Sequence, residues 1–157
     1  FNVNKKIKLL SLDVDGVLTD AGVYITERGD IFKKFNVRDG VGIRNVIKAG
    51  IYVAFISAGK SKKLLNARAK MLGVKLVYAG DEEKLNIMSK WCKKLKINLD
   101  EVAHIADDVN DLNLLRAVGV SVCPADAVEA VKSSVKIVLE KKGGDGCVRE
   151  FIDQHLL

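Results

Sequence analysis

Residues 7–17, IKLLSLDVDGV, decide the fold: a strand-sized apolar run ends abruptly in two aspartates and a glycine. The run Ile7–Val14 is too short for a surface helix and reads as a β-strand with an acidic end. Further strand candidates of the same character follow at Tyr52–Ile56, Leu76–Tyr78, Val102–Ile105, Val120–Val122 and Ile137–Leu139. Segments with helical spacing alternate with them: Gly42–Ala49, Lys62–Leu72, Glu82–Leu95, Leu112–Ala117, Ala127–Ser133 and Val148–His155. This alternation implies an α/β fold, a Rossmann-like three-layer sandwich with a parallel sheet covered by helices on both faces. One segment breaks the pattern. Gly22–Val37 has two β-like arms around the turn Glu27-Arg28-Gly29-Asp30 and reads as a protruding hairpin, whose unpaired edges invite another subunit.

The composition narrows the function classes. A chain of 157 residues, 48% hydrophobic and 29% charged, is read as one globular domain over 1–157. It begins at Phe1 rather than Met, so natural residues are expected to precede it. No apolar run approaches the ~18 residues needed to span a membrane, and no secretory pattern is seen. Cys92, Cys123 and Cys147 are widely spaced and odd in number, forming neither a CxxC pair nor a disulfide framework; they suit buried thiols in a reducing cytoplasm. His104 and His155 make no metal pair, and His104, inside a strand, is expected to be a packing residue. The net charge of +6 is spread over several helices, with three tyrosines and one tryptophan to stack on bases. It is read as a solvated surface that attracts small anions, not as a nucleic-acid interface.

In open α/β sheets, ligands sit beyond the carboxyl ends of the strands, so the residues there carry the chemistry. The first strand delivers Asp13 and Asp15. The fourth delivers Asp107, Asp108 and Asp111, with Asp107 and Asp111 one helical turn apart. Helix capping explains one such acid but not three in five positions. A divalent cation between two strand ends explains them all, because crowded carboxylates need a cation or a shared proton. Lys84 follows the third strand at a helix start, where the dipole disfavours it but a phosphate would welcome it. Residues 54–61, AFISAGKS, end like a P-loop, but GxxxxGK[ST] requires glycine at position 54, where Ala54 stands inside a strand. Ser57 remains as a phosphate donor.

Asp-x-Asp, Ser, Lys and Asp-Asp-x-x-Asp in this order resemble the four motifs of the haloacid dehalogenase phosphatases. LDVDGVLTDAGVYI, FNVRDGVGIR, ADDVNDLNLL and GGDGCVREF extend the likeness over nearly the whole chain. They are similar to the small capless enzymes acting on 3-deoxy-D-manno-octulosonate 8-phosphate, with relatives that act on nine-carbon keto-sugar acid 9-phosphates. The resemblance implies that Asp13 is the nucleophile and that Asp15 is the general acid and base. It implies that Mg²⁺ is held by Asp13, Asp107 and the Asp15 carbonyl, that Ser57 and Lys84 bind the phosphoryl group, and that Asp111 and Asp108 support them.

It also implies a homotetramer assembled through the hairpin. In that arrangement Gly143 and Gly144 approach a neighbour's cleft, and Arg68 and Lys70 reach a neighbour's substrate. From spacing alone, the glycines read as a turn before the last helix. Where relatives carry Thr/Ser-Gly-Arg or Thr-Gly-Glu, this chain has Ser57-Ala58-Gly59-Lys60, so Lys60 is the candidate for the third side chain's sugar contact. Two other classes compete: a catalytically silent assembly domain, and a phospho-accepting receiver. Silent relatives lose the first aspartate, which is kept here. Receivers pair adjacent acids after strand one, whereas Asp13 and Asp15 are separated.

Overall fold

The computed structural model describes residues 7–157; residues 1–6 of the expected domain lie outside the described residues. Six strands form one parallel sheet in the order β5-β4-β1-β6-β7-β8. They are β1 (Leu9–Leu12), β4 (Tyr52–Ser57), β5 (Leu76–Ala79), β6 (Val102–Ile105), β7 (Val120–Cys123) and β8 (Ile137–Val138). The α/β fold read from the sequence is the one observed.

The central strand β1 is buried on both faces, and its alternation sorts the core into two layers. Leu10 and Leu12 pack with residues of α1 (Val37–Lys48), α2 (Lys62–Leu72) and α6 (Cys147–Phe151). Leu9 packs on the other side with Met88 and Cys92 of α3 (Lys84–Leu95) and Leu114 of α4 (Leu112–Ala117). Each fully buried leucine contributes about 1.5–3 kcal/mol relative to an exposed one. A short helix α5 (Glu129–Lys132) precedes β8, and α6 runs on into a wider turn over Ile152–Leu156. No helix among the described residues is long and apolar enough to cross a membrane.

Several boundaries differ from the sequence reading. The strand expected over Ile7–Val14 ends at Leu12, because Asp13 turns out of the sheet while its N–H still reaches Ile105 O at 3.0 Å. The first helix begins at Val37, not Gly42. Asn36 Oδ1 accepts the N–H groups of Arg38 at 2.8 Å and Asp39 at 3.2 Å, and this cap outweighs the low helix propensity of Gly40 and Gly42. The hairpin is correspondingly shorter than Gly22–Val37. Its arms are β2 (Tyr24–Ile25) and β3 (Ile31–Phe32), antiparallel, with Gly29 at φ +87° in the turn. Its apolar side chains face solvent: Ile25 is 67% and Phe32 54% exposed.

Asp39 ties α1 to the C-terminal helix. Its Oδ1 accepts the Arg149 N–H at 2.9 Å, while Oδ2 is buried with no hydrogen-bond partner. Burial pushes this carboxyl up to about 6, against the opposing pull of the Arg149 N–H. A carboxyl whose pKa rises on folding binds its proton more tightly in the folded state, so its contribution to stability is largest at low pH. Wild-type protein should therefore lose stability relative to Asp39→Asn as pH rises from about 4 to about 6, by on the order of 3 kcal/mol. Urea titrations of both proteins across that window measure the difference; parallel pH curves would refute the assignment.

Candidate active site

The strand order brings the sequence-predicted residues together. β1 lies between β4 and β6, so Asp13, Ser57 and Asp107 leave three adjacent strands on the same edge. Neighbouring strands are about 4.8 Å apart, within reach of short side chains. A cleft of about 220 Å³ opens there, lined by Asp13, Asp15, Ser57, Gly59, Asp107 and Asp108 with their neighbours.

Asp13 is 7% exposed and accepts the N–H of Val14 at 2.9 Å. The Asp107 carboxyl lines the same cleft. Burial, then the charge of Asp13, push Asp107 up to about 7. Burial raises Asp13 too, against the opposing charge of Lys84. Two neighbouring carboxyls, one buried and one half-buried, resist ionising together. Gly16, at φ +87°, leaves Asp107 its place: a Cβ there would fall 1.9 Å from Asp107 Oδ2.

Lys84 stands at the start of α3, 5% exposed, between two carboxylates. Its Nζ lies 2.9 Å from Asp13 Oδ1 and 2.7 Å from Asp111 Oδ1. Burial alone would favour the neutral amine, but Asp13 and Asp111 reverse that and raise Lys84 above the ordinary lysine value. Asp111 is fully buried. Burial would raise it, yet the hydrogen bond and charge of His104, together with Lys84, hold it below the usual carboxylate range. Asp108, by contrast, is exposed and caps the next turn through the Val109 N–H at 2.7 Å. Ser57 Oγ accepts the Gly59 N–H at 2.9 Å, which leaves its own proton to donate into the cleft.

Two participants were missed by the sequence reading. Lys33, on the hairpin, donates to Asp15 Oδ1 at 2.6 Å, with its side chain 8% exposed. Neighbouring Lys34 gave no means of telling which lysine turns inward. His104, expected to be a packing residue, donates to Asp111 Oδ2 from Nε2 at 2.7 Å and meets Ser11 Oγ through Nδ1 at 2.8 Å. A polar side chain in a fully apolar strand was the available signal, because a buried polar group needs a partner.

The outer candidates are placed differently from one another. Arg68 is engaged within its own chain, over the Phe35 ring at 5.3 Å and donating to Asn36 O at 3.2 Å. Lys70 is exposed. Lys60 lines a groove between Ile31 of the hairpin and the start of α2. Gly143 and Gly144 pack against their own chain's loop after β1. A Cβ on Gly143 would meet Gly16 O at 1.8 Å, and the Gly144 N–H donates to Val17 O at 3.0 Å. In this chain the two glycines thus support the loop that carries Asp15 and Gly16.

Removing the ammonium at the centre of this cluster leaves buried carboxylates facing one another. Lys84→Met should destabilise the metal-free protein by about 3–5 kcal/mol, read from urea midpoints at pH 7. A loss below about 1 kcal/mol, the scale of an exposed pair, would contradict the buried arrangement.

Residues 60–151 match the haloacid dehalogenase-like hydrolase family. Over 151 residues the chain is 42% identical to the 3-deoxy-D-manno-octulosonate 8-phosphate phosphatase KdsC of Yersinia pestis, covering 96% of this chain and 80% of that protein. The crystal structure of the Moraxella catarrhalis 3-deoxy-D-manno-octulosonate 8-phosphate phosphatase, in complex with magnesium, phosphate and KDO, superposes with a TM-score of 0.91 at 34% identity over 95% of this chain and 85% of that one. The cobalt-bound Haemophilus influenzae phosphatase gives 0.90 at 39% identity over 95% and 86%. A parallel sheet with acids at two adjacent strand ends, and this similarity over nearly the whole chain, place the protein among the haloacid dehalogenase-like hydrolases, in the branch that holds the octulosonate 8-phosphate phosphatases.

Proposed function

We propose that the protein hydrolyses 3-deoxy-D-manno-octulosonate 8-phosphate through an aspartyl phosphate on Asp13. The observation that carries this reading is the meeting of Asp13 and Asp107 in one cleft, with Lys84 bound to the first of them. The donors suit a hard divalent ion: two carboxyls in a corner where burial and mutual repulsion disfavour ionisation, and only oxygen within the set. The set we propose, following the family resemblance, is the carboxylates of Asp13 and Asp107, which line one cleft, with the backbone carbonyl of Asp15. When bound there, Mg²⁺ offsets the charge that would repel nucleophile and phosphate.

Asp13 Oδ attacks phosphorus, and the bond to the sugar oxygen breaks. Asp15 gives that oxygen a proton as it leaves. Asp15 then takes a proton from water, which attacks the acyl phosphate and frees both Asp13 and phosphate. Ser57 donates to a phosphoryl oxygen. Lys84 supplies a fixed positive charge beside the reacting carboxylate, where low dielectric makes it most effective. Lys33 holds the Asp15 carboxyl from the hairpin side.

Asp13→Asn should release no phosphate while keeping its folded circular dichroism spectrum, and EDTA should silence the wild type until Mg²⁺ is restored. The informative assay sets the eight-carbon 8-phosphate beside nine-carbon sugar-acid 9-phosphates. A preference for the latter would assign the nine-carbon substrate, with Lys60 as its altered contact. Full activity of Asp13→Asn would exclude this nucleophile. No turnover of any sugar phosphate would favour the silent assembly domain.

The exposed apolar hairpin supports a homotetramer built through it. Val23, Tyr24, Ile25, Ile31 and Phe32 are each at least 46% exposed, and the two short arms pair only with each other. Ile25→Asp should convert the assembly to monomers in light scattering. A monomeric wild type, or a variant that still assembles, would refute that interface.

A further inference from the structure

We infer that His104 is a positioning residue for Lys84, acting through Asp111; the inference rests on the phosphatase reading above. Five side chains form one buried line from the sheet to the reacting carboxylate: Ser11, His104, Asp111, Lys84 and Asp13. Ser11 and His104 are register partners on β1 and β6, so the line is rooted on two rigid neighbouring strands. Ser11, His104 and Asp111 have no solvent exposure at all.

The direction of each bond follows from the acceptors. An ionised carboxylate only accepts, so His104 Nε2 carries the proton given to Asp111 Oδ2 at 2.7 Å. On the far side of the ring Nδ1 lies 2.8 Å from Ser11 Oγ and 3.2 Å from Ser11 O, so the same β1 residue anchors it there. Asp111 is left with Oδ1 turned to Lys84 at 2.7 Å. A carboxylate free to rotate would let the ammonium follow it; one oxygen pinned by the imidazole fixes the other.

The reaction makes this pin necessary. While Asp13 is a free carboxylate, Lys84 is held from two sides, by Asp13 at 2.9 Å and by Asp111. Once Asp13 bears the phosphoryl group, its oxygen is esterified and no longer anionic. Asp111 is then the remaining protein carboxylate on the ammonium, and His104 decides where that carboxylate stands. A four-carbon stem has many rotamers, and a displacement of about 1 Å in such a group is enough to lower turnover by roughly 100-fold.

The test is a mutant cycle on phosphate release with saturating Mg²⁺, using the sugar-acid phosphate that the wild type turns over fastest. His104→Leu should lower kcat roughly 10- to 100-fold with KM changed by less than about threefold. His104→Gln, which can place an amide N–H near Nε2, should recover most of the loss; His104→Asn, too short to reach Asp111, should not. In an Asp111→Asn background, His104→Leu should lower kcat by less than about twofold, because the residue through which it acts is already changed.

Equal losses in both backgrounds, an unchanged kcat in His104→Leu, or a Gln variant as poor as Asn would each overturn the inference. If His104→Leu does not fold, the comparison of Gln with Asn decides alone. A wild type that hydrolyses no sugar phosphate would instead refute the phosphatase reading. The same cycle read on unfolding free energy then tests the link between His104 and Asp111, and additive losses would overturn it.

Discussion

Charge balance at the end of β1 governs the molecule. Buried Asp13 and Asp111 and half-buried Asp107 gather at the ends of β1 and β6, and Lys84 is seated between Asp13 and Asp111. Unit charges 4 Å apart at an effective dielectric of about 20 interact by about 4 kcal/mol, so such a corner is unstable without compensation. The chain compensates part of it with Lys84 and with the bond from His104. The remainder, concentrated on Asp13 and Asp107, is the local demand for a cation. The proposed chemistry draws on that shortfall: a corner that favours positive charge suits a phosphate dianion approaching Asp13, the proposed nucleophile.

The scaffold makes this crowding possible. A central strand of leucines anchors the cluster in two hydrophobic layers, and the order of the sheet places β4 and β6 on either side of it. Gly16 clears the space that Asp107 occupies, while Gly143 and Gly144 let a second loop lie directly on the first. The hairpin contributes from outside, with Lys33 inserted against Asp15 and its apolar arms left facing solvent. A single short element thus joins Asp15, the proposed acid–base group, to the surface proposed for assembly.

Much of this was legible in the sequence, for physical reasons that can be named. LLSL followed by Asp-Val-Asp-Gly announces a buried strand with an acidic end, and the Asp-Asp-x-x-Asp spacing does the same for the strand beside it. Composition and spacing report local structure well, and here the polar residues at strand ends are local features. What stayed hidden depends on contacts between distant segments. The partner of His104 is set by how β6 registers on β1, and the inward turn of Lys33 by how the hairpin folds back on the loop. The early start of α1 hinged on one side chain, Asn36, overriding two glycines. The role of Gly143 and Gly144 within their own chain required knowing that the loop after β1 lies beneath them.

The most direct measurement is a crystal structure of the protein grown with Mg²⁺ and trifluoroberyllate, which stands in for a phosphoryl group on a carboxylate. The account predicts the beryllium on an oxygen of Asp13, with one cation bound by Asp13, Asp107 and the carbonyl of Asp15, and Lys84 still against Asp111. Beryllium on another carboxylate, or a cation seated away from Asp107, would contradict it.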